Sequence, residues 1–556
     1  MSDWTGGYVS DVEYLSGLYP EQAPGRLDLA CMMAGIEPVR RPGSNAPFAY
    51  CDLGCGQAST VAALAAANPE AAFWGIDFMP AHIARAEAFR SAAGITNLTL
   101  IEADIAALGR AGDPGLPRFD YIALHGLFSW VSDEVRAGIV AFIDRFLKPG
   151  GLVYLGYNAL PGWTDALPLQ KVLIEYAATQ QGPSSARIGA ATDFAMRMRA
   201  AGAAVLDTRL QDKLIPDSSG PEFLQRHHRY LAHEFLNANW QPRFHIDVAR
   251  ELAAAKLEFV GSANPLENFT GIGLSDEAQE MLAAVPEGPL RETLDDYFYM
   301  RRFRRDIFVR GRRTILPATR ETLLGDVVLA RIEPRPDPEQ SEWPQLSTRF
   351  SLDPETYGPV FDRLDRGPAS IAELRARVAD TGARVTGNEL VGILVGLELV
   401  QPVLHDVPAT VVESCWRHNR VVAHEAFRSV RQNAYPLALP VGHTGMMLNG
   451  FHTLMLDGLF NDVPPEVAAL SAHVLERLNV DADAIQKPPA PDTTIGGTPA
   501  TPEGKAGTAG KEAAAADPMP EPRPAGEIVH DAAVHLLDER LPVWRQLGLL
   551  PPQKPG

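Results

Sequence analysis

Between Phe48 and Tyr157 five short apolar runs alternate with stretches of helical composition, and this alternation limits the fold more than any other feature. The runs are Phe48–Leu53, Ala72–Ile76 (AFWGI), Leu98–Glu102 (LTLIE), Phe119–Leu124 (FDYIAL) and Leu152–Tyr157 (LVYLGY). Between them, Thr60–Ala67 is alanine-rich and stops before Pro69, and Ala81–Ala92 and Glu134–Phe146 are patterned as helices. Lys148-Pro-Gly-Gly151 reads as a turn. Runs this short and apolar suit strands covered on both faces. Their alternation with helices implies a parallel sheet whose ligand lies at the carboxyl ends of the strands.

The first strand end and its turn read FAYCDLGCGQAST (Phe48–Thr60). Gly54 and Gly56 let the backbone turn sharply and approach a ligand closely. A dinucleotide fingerprint wants a third glycine at position 59, where this chain has Ser59. The carboxylate of Asp52 would also repel a pyrophosphate and suits a cationic ligand, which leaves NAD as the weaker alternative. Asp77 ends the second strand, 25 residues after Asp52, and Asp104 follows the third. One acid after a strand is commonly a solvated cap; three at successive strand ends point to a shared ligand. The pattern D-x-G-x-G, with Ala58 where a third glycine is often seen, resembles motif I of class I S-adenosylmethionine (SAM)-dependent methyltransferases. That resemblance implies that SAM is held by Asp52, Gly54, Gly56, Asp77, Phe78, Asp104 and Ile105. Asp77 would take both ribose hydroxyls and Asp104 the adenine amino group, with Ile105 against the ring.

Longer segments narrow the resemblance. DYIALHGLFSWVSDEVR (Asp120–Arg136), LVYLGYNALPGW (Leu152–Trp163), YLAHEFLNANWQPRF (Tyr230–Phe244), KLEFVGSANPLEN (Lys256–Asn268) and RRDIFVRG (Arg304–Gly311) are similar to one bacterial group. These are methyltransferases that carry a methyltransferase regulatory domain, among them rickettsial protein-lysine methyltransferases acting on outer-membrane proteins. The likeness spans roughly residues 8 to 480 and is strongest before 315. It implies a class I methyltransferase, Rossmann-like, seven-stranded α/β sheet with helical insertions. Leu257–Val260 is the expected sixth strand and Asp306–Arg310 the last, antiparallel one.

Composition bounds the rest. The 556 residues hold 50 Lys plus Arg against 69 Asp plus Glu, a net charge of −19, which disfavours nonspecific nucleic-acid binding. Seven arginines crowd Arg301–Arg313, but interspersed apolar residues and nearby Glu292, Asp295 and Asp296 read as a neutralised strand edge. The four cysteines, Cys31, Cys51, Cys55 and Cys415, make no CxxC pair, and no metal site is expected; His227, His228 and His233 read as helix surface. With no signal-peptide pattern and no spanning segment, a cytoplasmic protein away from membranes is expected. Tyr357–Leu404 reads as a winged-helix-like unit whose third helix (GNELVGILVGLE) has no Lys or Arg, a poor reader of DNA grooves. Lys487–Gly526, with nine prolines, six glycines and no aromatic residue, reads as a flexible linker. The expected domains are therefore 1–165, SAM-binding core; 166–229, helical insertion serving as lid or dimer contact; and 230–315, remainder of the core. A C-terminal winged-helix-like α/β domain over 316–480, a disordered linker over 481–526 and a tail helix in 527–556 complete the chain.

Methyl transfer from SAM is an in-line displacement that needs alignment and a desolvated nucleophile. A lysine ammonium of pKa ~10.4 must first lose a proton, at a cost of roughly 4–5 kcal/mol at pH 7. Loops after the fourth and fifth strands are expected to form the acceptor pocket, with His125 and Tyr157 in catalysis. Trp130, Asn158 and Trp163 would then contact substrate. Packing is the competing reading for Trp130 and Phe128, and a structural hydrogen bond for His125. The expected activity is protein-lysine methylation; a small-molecule methyltransferase and a SAM-binding regulatory protein without turnover are the alternatives. A protein substrate is expected, and a homodimer is left open.

Overall fold

The computed structural model describes residues 7, 9, 11, 17–110, 115–206, 221–269, 271–336, 342–343, 348–349, 352–404, 407–428, 434–486 and 523–550. Most of the expected linker, residues 487–522, lies outside the described residues. All seven expected strands form: β1 (Ala49–Leu53), β2 (Ala72–Asp77), β3 (Leu98–Glu102), β4 (Phe119–His125), β5 (Leu147–Asn158), β6 (Leu257–Ser262) and β7 (Phe303–Arg310). They make one sheet in the order β3-β2-β1-β4-β5-β7-β6. Neighbours among β1 to β5 pair in parallel, and β7 runs antiparallel to both β5 and β6. This is the class I methyltransferase arrangement.

Both faces of the sheet are covered, as the apolar runs require. Tyr50, Phe73, Tyr121, Tyr154 and Ile307 pack against α1 (Pro24–Met33) and α2 (Ser59–Ala67). Cys51, Ile122, Val153, Leu155, Tyr157 and Phe308 pack on the opposite face against α3 (Asp133–Phe146) and the helix His245–Ala253. In α3, Ser132 caps the N-terminus by accepting from the Val135 N–H, and Asp133 and Glu134 favour its positive end. The helical insertion appears as α4 (Leu167–Ala178), α5 (Ser184–Ala200) and the helix Pro221–Phe235.

The arginine run is not at a sheet edge. β7 lies inside the sheet, between β5 and β6, because Asp306–Val309 pairs on both sides. The guanidinium groups of the run are met by acids: Arg301 by Asp295 and Asp296, Arg304 by Asp296, Glu292 and Asp306 of its own strand, Arg305 by Glu267, and Arg310 by Asp144. These pairs let a strand this rich in charge lie between two others.

In the C-terminal half, a small antiparallel sheet of Ala369–Ser370, Val328–Arg331 and Val400–Val403 packs with the helices Pro354–Leu364, Ile371–Ala379 and Gly387–Gly396. The helix Gly387–Gly396 starts with a capping box between Thr386 and Glu389. Downstream, the helix Ala409–Ala426 and the hairpin Ala434–Leu439/Thr444–Asn449 lie on α2. The alanines of α2 let them approach closely: Asn68 Nδ2 donates to the His443 carbonyl at 2.9 Å, and Cys415 Sγ lies 3.7 Å from the Ala66 carbonyl oxygen. Among the described residues, no helix is long and apolar enough to cross a membrane, and no cluster of ligands is placed to hold a metal ion.

The tail helix, read from the sequence as tethered and docking on the body or on a partner, packs on the body. The helix Ala525–His535 and its continuation Leu541–Gln546 bury Val529, Leu536, Val543, Trp544 and Leu547 in the same cluster as Leu437, Leu454, Met455 and Val474. Trp416 Nε1 adds a hydrogen bond to the Gly548 carbonyl at 2.9 Å. An apolar stripe with so many large residues completes a core, and the tail is part of the C-terminal fold.

Candidate active site

The turn after β1 has the conformation its glycines permit. Gly54 and Gly56 have φ of 74° and 55°, in the left-handed region that favours glycine. A Cβ at Gly54 would stand 3.1 Å from Leu127 Cδ2, whereas one at Gly56 would meet nothing within 4 Å, so Gly56 borders open space. Ala58 takes φ of 62° as the residue before α2. An alanine tolerates this at a cost on the order of 1 kcal/mol.

Two carboxylates stand at this end of the sheet. Asp77 Oδ2 accepts from the Gly56 N–H and Oδ1 from the Met79 N–H, both at 2.9 Å. These bonds fix the carboxylate plane and leave each oxygen a second lone pair. Asp52 is only 5% exposed and accepts no hydrogen bond from any described residue. Burial, and then the neighbouring Asp77, push its carboxyl up to about 7. An acid this buried and unpartnered fits a ligand that brings positive charge. The Asp77 lone pairs fit a ligand that brings hydroxyl donors. SAM has both, so the residues present fit it. Asp104 is exposed and caps the helix Ile105–Arg110, its Oδ1 accepting from the Ala106 N–H at 2.8 Å. Ile105 is buried in the core on the α3 face, and Phe78 is half-buried directly after Asp77.

Beyond β4 and β5 the structure brings together a set of side chains that only partly matches the expected one. His125 is half-buried; its Nδ1 lies 2.9 Å from the Tyr154 hydroxyl, and its ring stacks on Tyr19 with centroids 3.5 Å apart. Burial, and then Arg305, pull His125 down to about 3, so the ring is neutral. The Tyr154 hydroxyl donates to Glu21 Oε1 at 3.3 Å. Glu234 has no hydrogen-bond donor among the described residues, and burial pushes it up to about 7. It lies near enough to Tyr19 that burial, Glu21, Glu234 and Asp52, in that order, all raise the Tyr19 phenol. Asn158 is 5% exposed, and its side-chain Nδ2 has no partner.

Tyr157 is not among these groups. Successive strand residues point to opposite faces, and Tyr157 faces the core on the α3 side, fully buried. Its hydroxyl donates to Asp306 Oδ2 at 2.7 Å and lies 3.3 Å from His245 Nδ1. A hydroxyl so committed does not fit the expected bond to an acceptor amine. Trp163 is likewise committed to structure: Nε1 donates to the Arg302 carbonyl at 2.8 Å, and its ring meets Trp240 edge-on at 5.4 Å. It anchors the helical insertion. Trp130, half-buried, borders the same aromatic cluster at 6.0 Å from Trp240, and Phe128 is buried on the α3 face. Sequence reasoning passed over Tyr19, Glu21, Tyr154 and Glu234. Strand alternation carried a usable signal for one of them, since Tyr154, Gly156 and Asn158 share a face in LVYLGYN.

Residues 51–153 match the family described as "Methyltransferase domain", and residues 227–310 match the "Predicted methyltransferase regulatory domain". The second span holds β6 and β7, so that region completes the sheet. The uncharacterized protein sll1526 of Synechocystis sp. is 32% identical over 469 residues, covering 82% of this chain and 87% of its own length. The uncharacterized protein RP789 of Rickettsia prowazekii is 26% identical over 305 residues, covering 53% of this chain and 51% of its own length. Among solved structures, PKMT2 from Rickettsia typhi in complex with AdoHcy is similar in fold, with a TM-score of 0.62 at 16% identity. The match covers 97% of this chain and 99% of that one.

Proposed function

Because this chain belongs to the class I SAM-dependent methyltransferases that carry a methyltransferase regulatory domain, we propose that it methylates the side-chain amine of lysine in a protein substrate. The observation that carries this reading is Glu234, a half-buried acid without a hydrogen-bond donor among the described residues, near Tyr19, which itself stacks on His125. Such a site gains most from an incoming ammonium, which supplies the missing counter-charge and packs against an aromatic face. The name of the structurally similar PKMT2 agrees with a protein substrate.

In this reading Asp52 and Asp77 hold SAM, with Gly54 and Gly56 giving its approach and Phe78, Asp104 and Ile105 lining the adenosine side. When bound, SAM supplies a methyl carbon on a sulfonium, open to attack by a neutral amine. The chain's part is to admit the lysine, remove its proton and exclude water. His125 stands on the acceptor side as a neutral ring that burial and Arg305 keep from holding a proton, so any proton it takes from the amine must be handed on. Asn158 places an unpartnered amide on the same face as His125 and serves the substrate, and Trp130 borders the entry.

The test is to incubate the protein with labelled SAM and a lysate of its host, then hydrolyse the labelled protein and identify the modified amino acid. Methylated lysine is expected. Label confined to small molecules, or on carboxylate or hydroxyl oxygen, would overturn the lysine reading.

The buried Asp52 makes SAM binding depend on pH. Its pKa is raised above the unfolded value, so ionising it costs the free protein stability as pH rises toward 7. A bound cation removes that cost. Affinity is therefore expected to fall as pH drops below about 7, by up to roughly tenfold per pH unit. Calorimetry at pH 6 in buffers of different ionisation heat should show proton release on binding. Asp52→Asn should abolish that release and flatten the pH dependence; release unchanged in this variant would remove Asp52 from the site.

A further inference from the structure

The surroundings of His125 are built more elaborately than a simple contact with substrate requires. Gly156 of β5 stands opposite His125 of β4. A Cβ at position 156 would lie 2.8 Å from His125 Nδ1 and 3.0 Å from Phe303 Cζ, so glycine is what admits the imidazole here. The ring is then held by Tyr19, by Phe303 with centroids 5.1 Å apart, and by the Tyr154 hydroxyl. Tyr154 in turn reaches Glu21, which precedes α1 on the N-terminal segment.

Counting donors assigns the tautomer. The Tyr154 hydroxyl has one proton and gives it to Glu21, which as a carboxylate can only accept. The Tyr154 oxygen therefore has only lone pairs for His125. With Glu21 ionised, the ring proton sits on Nδ1 and Nε2 keeps a lone pair.

We propose that His125, Tyr154 and Glu21 form a proton relay that takes the proton of the acceptor ammonium at His125 Nε2 and delivers a proton to the Glu21 carboxylate. The proposal rests on the reading of the acceptor as a lysine amine. The ammonium N–H bond breaks and its electron pair stays on nitrogen. His125 Nε2 gains that proton, Nδ1 passes its own to the Tyr154 oxygen, and Tyr154 passes its hydroxyl proton to Glu21. His125 ends neutral and Glu21 ends as a carboxylic acid. Loss of that proton to water and return of the ring to the Nδ1–H form reset the relay.

The charges around the ring favour a relay over an imidazolium that persists. Burial and Arg305 disfavour positive charge on His125. Burial raises Glu21, with Arg305 opposing. Facing this chain are Glu21 and Tyr19 from the N-terminal segment, Tyr154 from β5 and Arg305 from β7, with Glu234 and Asp52 beyond Tyr19. Arg305 is itself paired with Glu267 at 2.5 Å.

The test uses the full-length protein labelled with ¹⁵N in histidine, the His125 signals being identified by their loss in His125→Gln. The expected spectrum is a neutral ring protonated on Nδ1, unchanged from pH 8 to below 6. Tyr154→Phe should move the proton to Nε2 or mix the two tautomers, as should Glu21→Gln. With host lysate as acceptor, both variants should lower methyl transfer on the order of 100-fold while leaving calorimetric SAM affinity unchanged. A wild-type ring protonated on Nε2, or full turnover in both variants, would overturn the relay. Label found on a group other than lysine would instead remove the substrate reading, whatever tautomer is observed.

Discussion

Asp77→Ala is expected to abolish SAM binding, measured by calorimetry, in a protein that still folds. Asp77 acts twice. Its two oxygens hold the Gly56 and Met79 N–H groups, which shapes the turn after β1; His82 Nδ1 stands 3.4 Å from Oδ1, and the lone pairs that do not face it are left for ligand hydroxyls. Hydrogen bonds to a charged group contribute about 1.5–3 kcal/mol each, so losing two to the ligand removes roughly 3–6 kcal/mol. That is about two to four orders of magnitude in affinity. Asp77→Asn keeps one acceptor oxygen but turns an NH₂ toward a backbone donor, and should bind with intermediate strength. Tight binding by Asp77→Ala would refute the placement of the ribose.

Removing the C-terminal tail is expected to unfold the C-terminal half of the molecule. Truncation before residue 523 takes away Val529, Leu536, Val543, Trp544, Leu547 and Leu549, all buried against the helix and hairpin layer that rests on α2. Each such side chain contributes about 1.5–3 kcal/mol when fully buried, more than most domains have in reserve. The milder variant Trp544→Ala, at a residue 0% exposed, should cost about 3–5 kcal/mol and lower the midpoint of thermal unfolding. A truncated protein that melts like the full chain would show that the tail is dispensable. Because the hairpin and the helix Ala409–Ala426 lie directly on α2, weakened SAM binding is expected to accompany the loss.

What the sequence determined by itself was whatever local pattern can encode. Apolar runs of five or six residues, glycines with room for positive φ, and acids just past strand ends were enough to place β1 to β5 and the Asp52–Asp77 end of the sheet. Each of these signals lies within a few residues of the feature it produces, so the chain alone carries it. The acceptor side was decided by the tertiary structure, because its members come from four distant segments. Tyr157 and Tyr154 look equally suitable in LVYLGYN, yet the pairing of His125 with Gly156 puts Tyr154 on the His125 face and turns Tyr157 into the opposite core. Tyr19 and Glu21 lie in a segment without strand or helix periodicity, and they reach the site only because the chain before α1 crosses near the end of β4. The same holds for β7, whose arginines look like an exposed edge until the acids of other elements surround them, and for the tail, whose apolar stripe cannot say which core it completes. Register, choice of face and long-range partners depend on how separate segments meet, and burial settles them only once the whole chain is packed.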